Sequence, residues 1–109
     1  FTKVDRNLRG VRSCNMSFFK DDLIRVNGFE EEIEGWGRED SELAVRLFNI
    51  GCKKKKLKFE ALTCHLYHNE NDRSRLKKND EYLAKAIENK KTKAKKGLDR
   101  YERSNAGNN

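Results

Sequence analysis

Apolar material is what this chain has least of. Hydrophobic residues make up 35% and charged residues 39% of its 109 residues. That excludes a large core and predicts a small one that leans on a further surface. No apolar run is long enough to span a bilayer, and no secretory leader pattern opens the chain. Cysteine is sparse and odd in number, with Cys14, Cys52 and Cys64 only, which excludes a disulfide framework and fits a reducing, cytoplasmic setting. Histidine occurs twice and tryptophan once. There is no Asp-x-Asp pair and no internal repeat. The first residue is Phe1, and the chain reads as one small domain that is a piece of something longer.

What is abundant is positive charge, with a formal net charge of +7. Lysines cluster at Lys53–Lys56 and again at Lys85, Lys90, Lys91, Lys93, Lys95 and Lys96. Such a run is ordinarily a solvated face. It can also hold a protein at an anionic membrane surface, where each lysine contributes about 1 kcal/mol. Aromatic residues are not interleaved with these lysines, so a stacking platform for nucleic acid is not evident.

Residues 1–10 carry no strong period. Residues 11–19 alternate in the manner of a site-lining strand with Asn15 on its small, polar face. A short helix is predicted over about 21–26, stopped by Asn27-Gly28. An acidic loop follows to Gly37. The next helix runs over about 39–50, with Leu43, Leu47 and Ile50 on one stripe and Gly51 closing it. Residues 53–66 read as one or two strands. A long basic helix is predicted over about 72–96, and residues 97–109 read as a disordered tail.

The sharpest chemical signal is Gly35-Trp36-Gly37-Arg38-Glu39-Asp40. Two glycines allow a close turn, and a tryptophan between them offers a flat face for a sugar ring. Two acids then open a helix, where the dipole and backbone N–H groups favour the ionised form. A fixed, ionised carboxylate can accept a proton from an attacking hydroxyl. Taken singly, these residues are more simply a helix cap and a packed ring; the clustering points to a site. The second signal is His65-Leu66-Tyr67-His68 at the end of an apolar strand. Imidazole is a common ligand of divalent metals. Residues three apart in an extended segment face opposite ways, so one histidine is the better ligand unless the chain turns. A zinc site with Cys64 would lack a fourth ligand.

Four blocks occur in order: Asn15-Met16-Ser17-Phe18, Asp22 to Phe29, Gly35 to Leu43 with Arg46-Leu47, and His65-x-x-His68. Together, over about residues 10–70, they resemble the C-terminal region of family 2 bacterial glycosyltransferases. They are also similar to the C-terminal galactosyltransferase domain of animal galactosyl- and N-acetylgalactosaminyltransferases. The resemblance implies an α+β chain that is the C-terminal fragment of a GT-A (Rossmann-like α/β) domain, with a few short strands and about three helices. In this division residues 1–70 are the acceptor and metal side, 71–96 the basic helix and 97–109 the tail.

It further implies an inverting, metal-dependent transfer from a nucleotide-sugar, such as a UDP-sugar, to a glycan or other hydroxyl acceptor. Asp40 is the candidate base. Trp36, Gly37, Arg38, Glu39 and Asn15 are candidate acceptor contacts, and His65 with His68 the candidate ligands of Mn2+ or Mg2+. Arg38 stands where many relatives carry a small residue. Without the nucleotide-binding half, the piece is expected to be inactive alone and to pair with that half or with a second copy. The expected location is cytoplasmic, or peripheral at the inner face of the membrane. The rival readings are a basic module for an anionic surface or nucleic acid, and a non-catalytic remnant of the fold.

Overall fold

The computed structural model describes residues 2–11, 16–35, 37–57 and 74–101. They form an α+β arrangement of a two-stranded sheet and three helices. In chain order these are β1 (Thr2–Asp5), α1 (Lys20–Arg25), α2 (Glu39–Asn49), β2 (Lys54–Leu57) and α3 (Leu76–Glu88).

Strands β1 and β2 pair antiparallel, with Thr2 opposite Leu57 and Asp5 opposite Lys54. β1 has no alternating pattern of its own; main-chain pairing makes it a strand. The Lys54 ammonium locks the far end. It lies 3.4 Å from the Asp5 carboxylate and donates to the carbonyls of Asn7 and Arg9, each at 2.7 Å. The strand expected at 11–19 is not found at residues 11 and 16–19, and residues 12–15 lie outside the described residues. Phe19 is extended, but it is the residue that leads into α1.

The core is small. Val26, Leu43 and Leu47 are buried together, flanked by Leu23, Ile50 and Cys52. The Cys52 thiol is half-buried and its pKa is raised, first by burial and then by the nearby Asp22 carboxylate, so it is a poor nucleophile. Helix α2 supplies most of this core, because its apolar residues fall on one stripe.

All three helices end in the same way. Past α1, Gly28 N donates to Leu23 O at 2.9 Å and Asn27 N to Ile24 O at 3.0 Å. Past α2, Cys52 N donates to Leu47 O and Gly51 N to Phe48 O, both at 3.0 Å. Past α3, Lys91 N donates to Ala86 O at 3.0 Å and Lys90 N to Ile87 O at 3.3 Å. This double closure needs a left-handed residue just beyond the helix. Asn27, Gly51 and Lys90 fill it, with φ of 64°, 102° and 50°. Asparagine and glycine announce such a stop; lysine does not.

That is why the helix expected over 72–96 ends at Glu88 instead. Residues 91–101 turn back and dock on the loop between α1 and α2. Ala94 N donates to Val26 O at 2.9 Å, Glu31 N to Lys96 O at 2.8 Å, and Leu98 N to Asn27 O at 3.0 Å. The Asn27 side chain adds bonds to Ala94 O, Asp99 N and the Asp99 carboxylate. At Gly97 a Cβ atom would lie 1.8 Å from Asn27 O, so the two backbones approach closely only because the residue is glycine. Residues 97–101, expected to open a disordered tail, are therefore placed, and a helical turn forms at 99–101.

Among the described residues no helix is long and apolar enough to cross a membrane.

Candidate functional site

The Gly35–Asp40 stretch lies at the N-terminus of α2. Gly35 and Gly37 have φ of 74° and 109°, and a Cβ at either would press on α3 or its approach: 2.9 Å from Arg75 Cγ at Gly35, 2.8 Å from Leu76 Cδ1 at Gly37. Glycine is therefore required twice over, by torsion and by space. Arg38 follows as the residue that caps the helix, and it is left-handed at φ 73°. A non-glycine residue there carries about 1–2 kcal/mol of strain. Its guanidinium is held by the Asp80 carboxylate of α3.

Glu39 and Asp40 occupy the first turn of α2. Asp40 Oδ1 accepts the backbone N–H of Ser41 at 2.7 Å, and the residue is half-buried. One oxygen of Glu39, Oε2, is buried with no hydrogen-bond partner. Gly37, Arg38, Glu39 and Asp40 are thus brought together. Trp36, Asn15, His65 and His68 lie outside the described residues. Among the described residues no group of three or more His, Cys, Asp or Glu side chains is placed to hold a metal.

The loop that leads into this turn is braced by charge. Each glutamate of the acidic loop has a basic partner from residues 75–101. Glu30 meets Lys91 at 2.5 Å, Glu31 meets Arg100 at 2.9 Å, Glu32 meets Lys95 at 3.6 Å and Glu34 meets Arg75 at 2.7 Å. Tyr101 also donates to Glu31, and this bond raises the pKa of its phenol. Several lysines read as a free basic face, Lys91 and Lys95 among them, are therefore engaged within the chain.

Glu30 is 2% exposed. Burial by itself would raise its carboxyl pKa. The Lys91 ammonium and the N–H groups of Lys95 and Lys96 outweigh burial and hold it below the ordinary glutamate range. Lys91 also reaches Glu42 at 3.5 Å.

Behind the turn, Arg46 is 0% exposed. Its Nε donates to both Glu42 oxygens, at 2.8 and 3.0 Å. Its Nη1 donates to the carbonyls of Val26 and Gly28. Nη2 lies 2.8 Å from Glu42 Oε1, near enough to attract but poorly aimed to donate. Glu42 and Arg46 thus tie the end of α1 to α2, a role that the motif alone did not reveal. Asn79 carried no sequence signal, and Lys91 showed only as one lysine of the basic run. The charge complementarity between the acidic loop and the later basic segment was the one available hint.

The model of the family described as the N-terminal domain of galactosyltransferase matches residues 1–70. The chain belongs to this galactosyltransferase family. That description names an N-terminal domain, whereas the order of motifs resembles a C-terminal, acceptor-side region; the glycosyltransferase class is common to both. A chondroitin synthase from Pasteurella multocida (strain Pm70) is 49% identical over 41 residues, which cover 37% of this chain and 4% of that protein. The chain therefore matches only a small part of that relative's length. No solved structure matches.

Proposed function

We propose that the chain carries the acceptor side of an inverting glycosyltransferase, with Asp40 as its base. The observation that supports this reading most is the braced turn at the head of α2. There a strained Arg38 and two close-packed glycines set Glu39 and Asp40 on the first turn of a helix. In a single displacement, the acceptor oxygen attacks the anomeric carbon as the bond to the nucleotide diphosphate breaks. Asp40 takes the proton that the hydroxyl loses. Trp36, Gly37, Arg38, Glu39 and Asn15 are the proposed acceptor contacts.

His65, with His68, is the proposed ligand of a divalent cation, Mn2+ or Mg2+. Such a cation would supply Lewis-acid stabilisation of the leaving diphosphate. The match to a chondroitin synthase favours a polysaccharide product, and a UDP-sugar is the proposed donor. The nucleotide-binding half is proposed to lie elsewhere in a longer chain, and this piece to be inactive without it. The internal pairing of Lys91, Lys95 and Arg100 weighs against a module devoted to anionic partners.

The test is sugar-nucleotide turnover by a chain extended upstream of Phe1, with manganese and with chelator, over a panel of UDP- and GDP-sugars. We expect metal-dependent nucleotide release that Asp40→Asn lowers by about 100-fold or more without unfolding the protein. Intact transfer by Asp40→Asn would remove Asp40 as the base. No release from a folded protein with any donor would remove the transferase reading of this chain.

A further inference from the structure

Helix α3 lies beyond residue 70, outside the stretch that matches the family. Its inward face is mixed: Leu76, Tyr82 and Leu83 are half-buried there, with the polar Asn79 among them. The two residues it buries are Asn79 and Ala86. Asn79 is 1% exposed and lies opposite the Gly35–Gly37 turn. Its amide nitrogen donates to Glu34 O at 2.9 Å and to Gly37 O at 3.1 Å. These two carbonyls bracket residues 35–37, so a single side chain grips the turn at both ends. Around it, Arg75 pairs with Glu34, Asp80 holds Arg38, and Leu76 packs on Gly37. One helix thus supplies the turn's clamp, its flanking ion pairs and its packing floor.

We propose that Asn79 is a positioning residue for the acceptor-side turn. By holding both carbonyls it sets the torsions of Gly35 and Gly37, and through them the direction in which the Arg38–Asp40 head of α2 is presented. A buried amide that satisfies two carbonyls is costly to replace, since its removal takes that donor from both acceptors at once. The functional half of this proposal rests on the acceptor-site reading of the turn; the geometric half does not.

Trp36 is the sole tryptophan, so its fluorescence reports on this turn alone. The experiment compares the full chain with Asn79→Asp, which keeps the shape but removes the donor, and with Ala86→Gly, which weakens α3 without touching the carbonyls. Far-UV circular dichroism confirms that each is folded. Should Asn79→Asp prove too unstable, Asn79→Ser removes the amide without placing a charge against the carbonyls.

Acrylamide quenching of Trp36 is read first, with no sugar present. We expect Asn79→Asp to change the quenching constant and Ala86→Gly to leave it as in the parent. An unchanged constant in Asn79→Asp, or equal changes in both variants, would overturn the proposal. Methyl glycosides of a hexose, an N-acetylhexosamine and a hexuronic acid are then titrated. Where the parent responds, we expect Asn79→Asp to bind about tenfold more weakly, about 1.4 kcal/mol, and Ala86→Gly to bind as the parent does. Equal binding by Asn79→Asp and the parent would overturn the positioning of an acceptor. Silence of the parent toward all three, with the quenching result as expected, would leave Asn79 as the clamp and remove the acceptor reading instead.

Discussion

Helices α2 and α3 are close in length, 11 and 13 residues, and they pack on each other, yet they are built on opposite plans. Helix α2 buries six residues, Glu42 to Leu47 in one run, and faces neighbours on nearly every side. Helix α3 buries only two and stands at the surface. The first is held by the core and by a buried ion pair. The second is a brace that works through an amide, ion pairs at its start, and the segment that returns from its end. The difference teaches that a chain poor in apolar residues can still place a turn accurately. It does so by spending polar side chains where a richer sequence would spend leucine. Such contacts are directional, so they fix orientation as well as distance.

The largest effect should come from breaking the α2 side. Arg46→Ala would leave the buried Glu42 carboxylate to Lys91, 3.5 Å away, and take a donor from the carbonyls of Val26 and Gly28. We expect a loss of about 3–5 kcal/mol in urea unfolding, a large part of what a domain of this size has to lose. Arg46→Lys should not restore it, because an ammonium cannot meet Glu42 and two carbonyls with one planar fork. A loss below about 1 kcal/mol for Arg46→Ala would show that the network contributes little beyond the apolar core.

The intermediate case is acid. Glu30 has a folded-state pKa below its ordinary value, which is about 4.3 in an unfolded chain. Its contribution is therefore complete above that value and is lost as the pH falls through the lower, folded one. We expect stability to drop on that descent, and Glu30→Gln to be less stable at neutral pH but to show a shallower acid slope. Equal slopes for the two proteins would assign the acid loss to other carboxylates.

The smallest effect sharpens the comparison at the joint between the helices. Arg38→Gly relieves a left-handed torsion but gives up the exposed pair with Asp80. We expect the two to offset within about 1 kcal/mol. The melting temperature checks this; a large loss would mean that the Arg38–Asp80 pair holds the turn more firmly than an exposed pair should.

Much of α1 and α2 could be read in advance. Asn27-Gly28 marked the end of the first helix, and the stripe of Leu43, Leu47 and Ile50 marked the face of the second, because both signals are local. The errors have a common physical origin in distance along the chain. Strand β1 is a strand because residues 54–57 pair with it, about fifty positions away. Helix α3 stops at Glu88 because Lys90 accepts a left-handed torsion, and contacts of residues 91–101 with residues 26–31 hold it there. Lysines that looked like a solvated run include partners for glutamates some sixty positions earlier. The candidate site was visible as a cluster of residue types at Gly35–Asp40. Its support was not, since Asn79 in the middle of a polar helix looks like any other surface residue.

The sequence by itself thus determined the glycosyltransferase class, the small core and the turn-then-helix arrangement that opens with Glu39 and Asp40. Each of these depends on neighbouring residues, or on a motif whose order survives without the fold. Only the tertiary structure decided which charges are buried, where the basic segment turns back, and which side chain grips the turn. Those are pairings between distant groups, and a hydrogen bond or ion pair exists only once the chain has brought its two ends together.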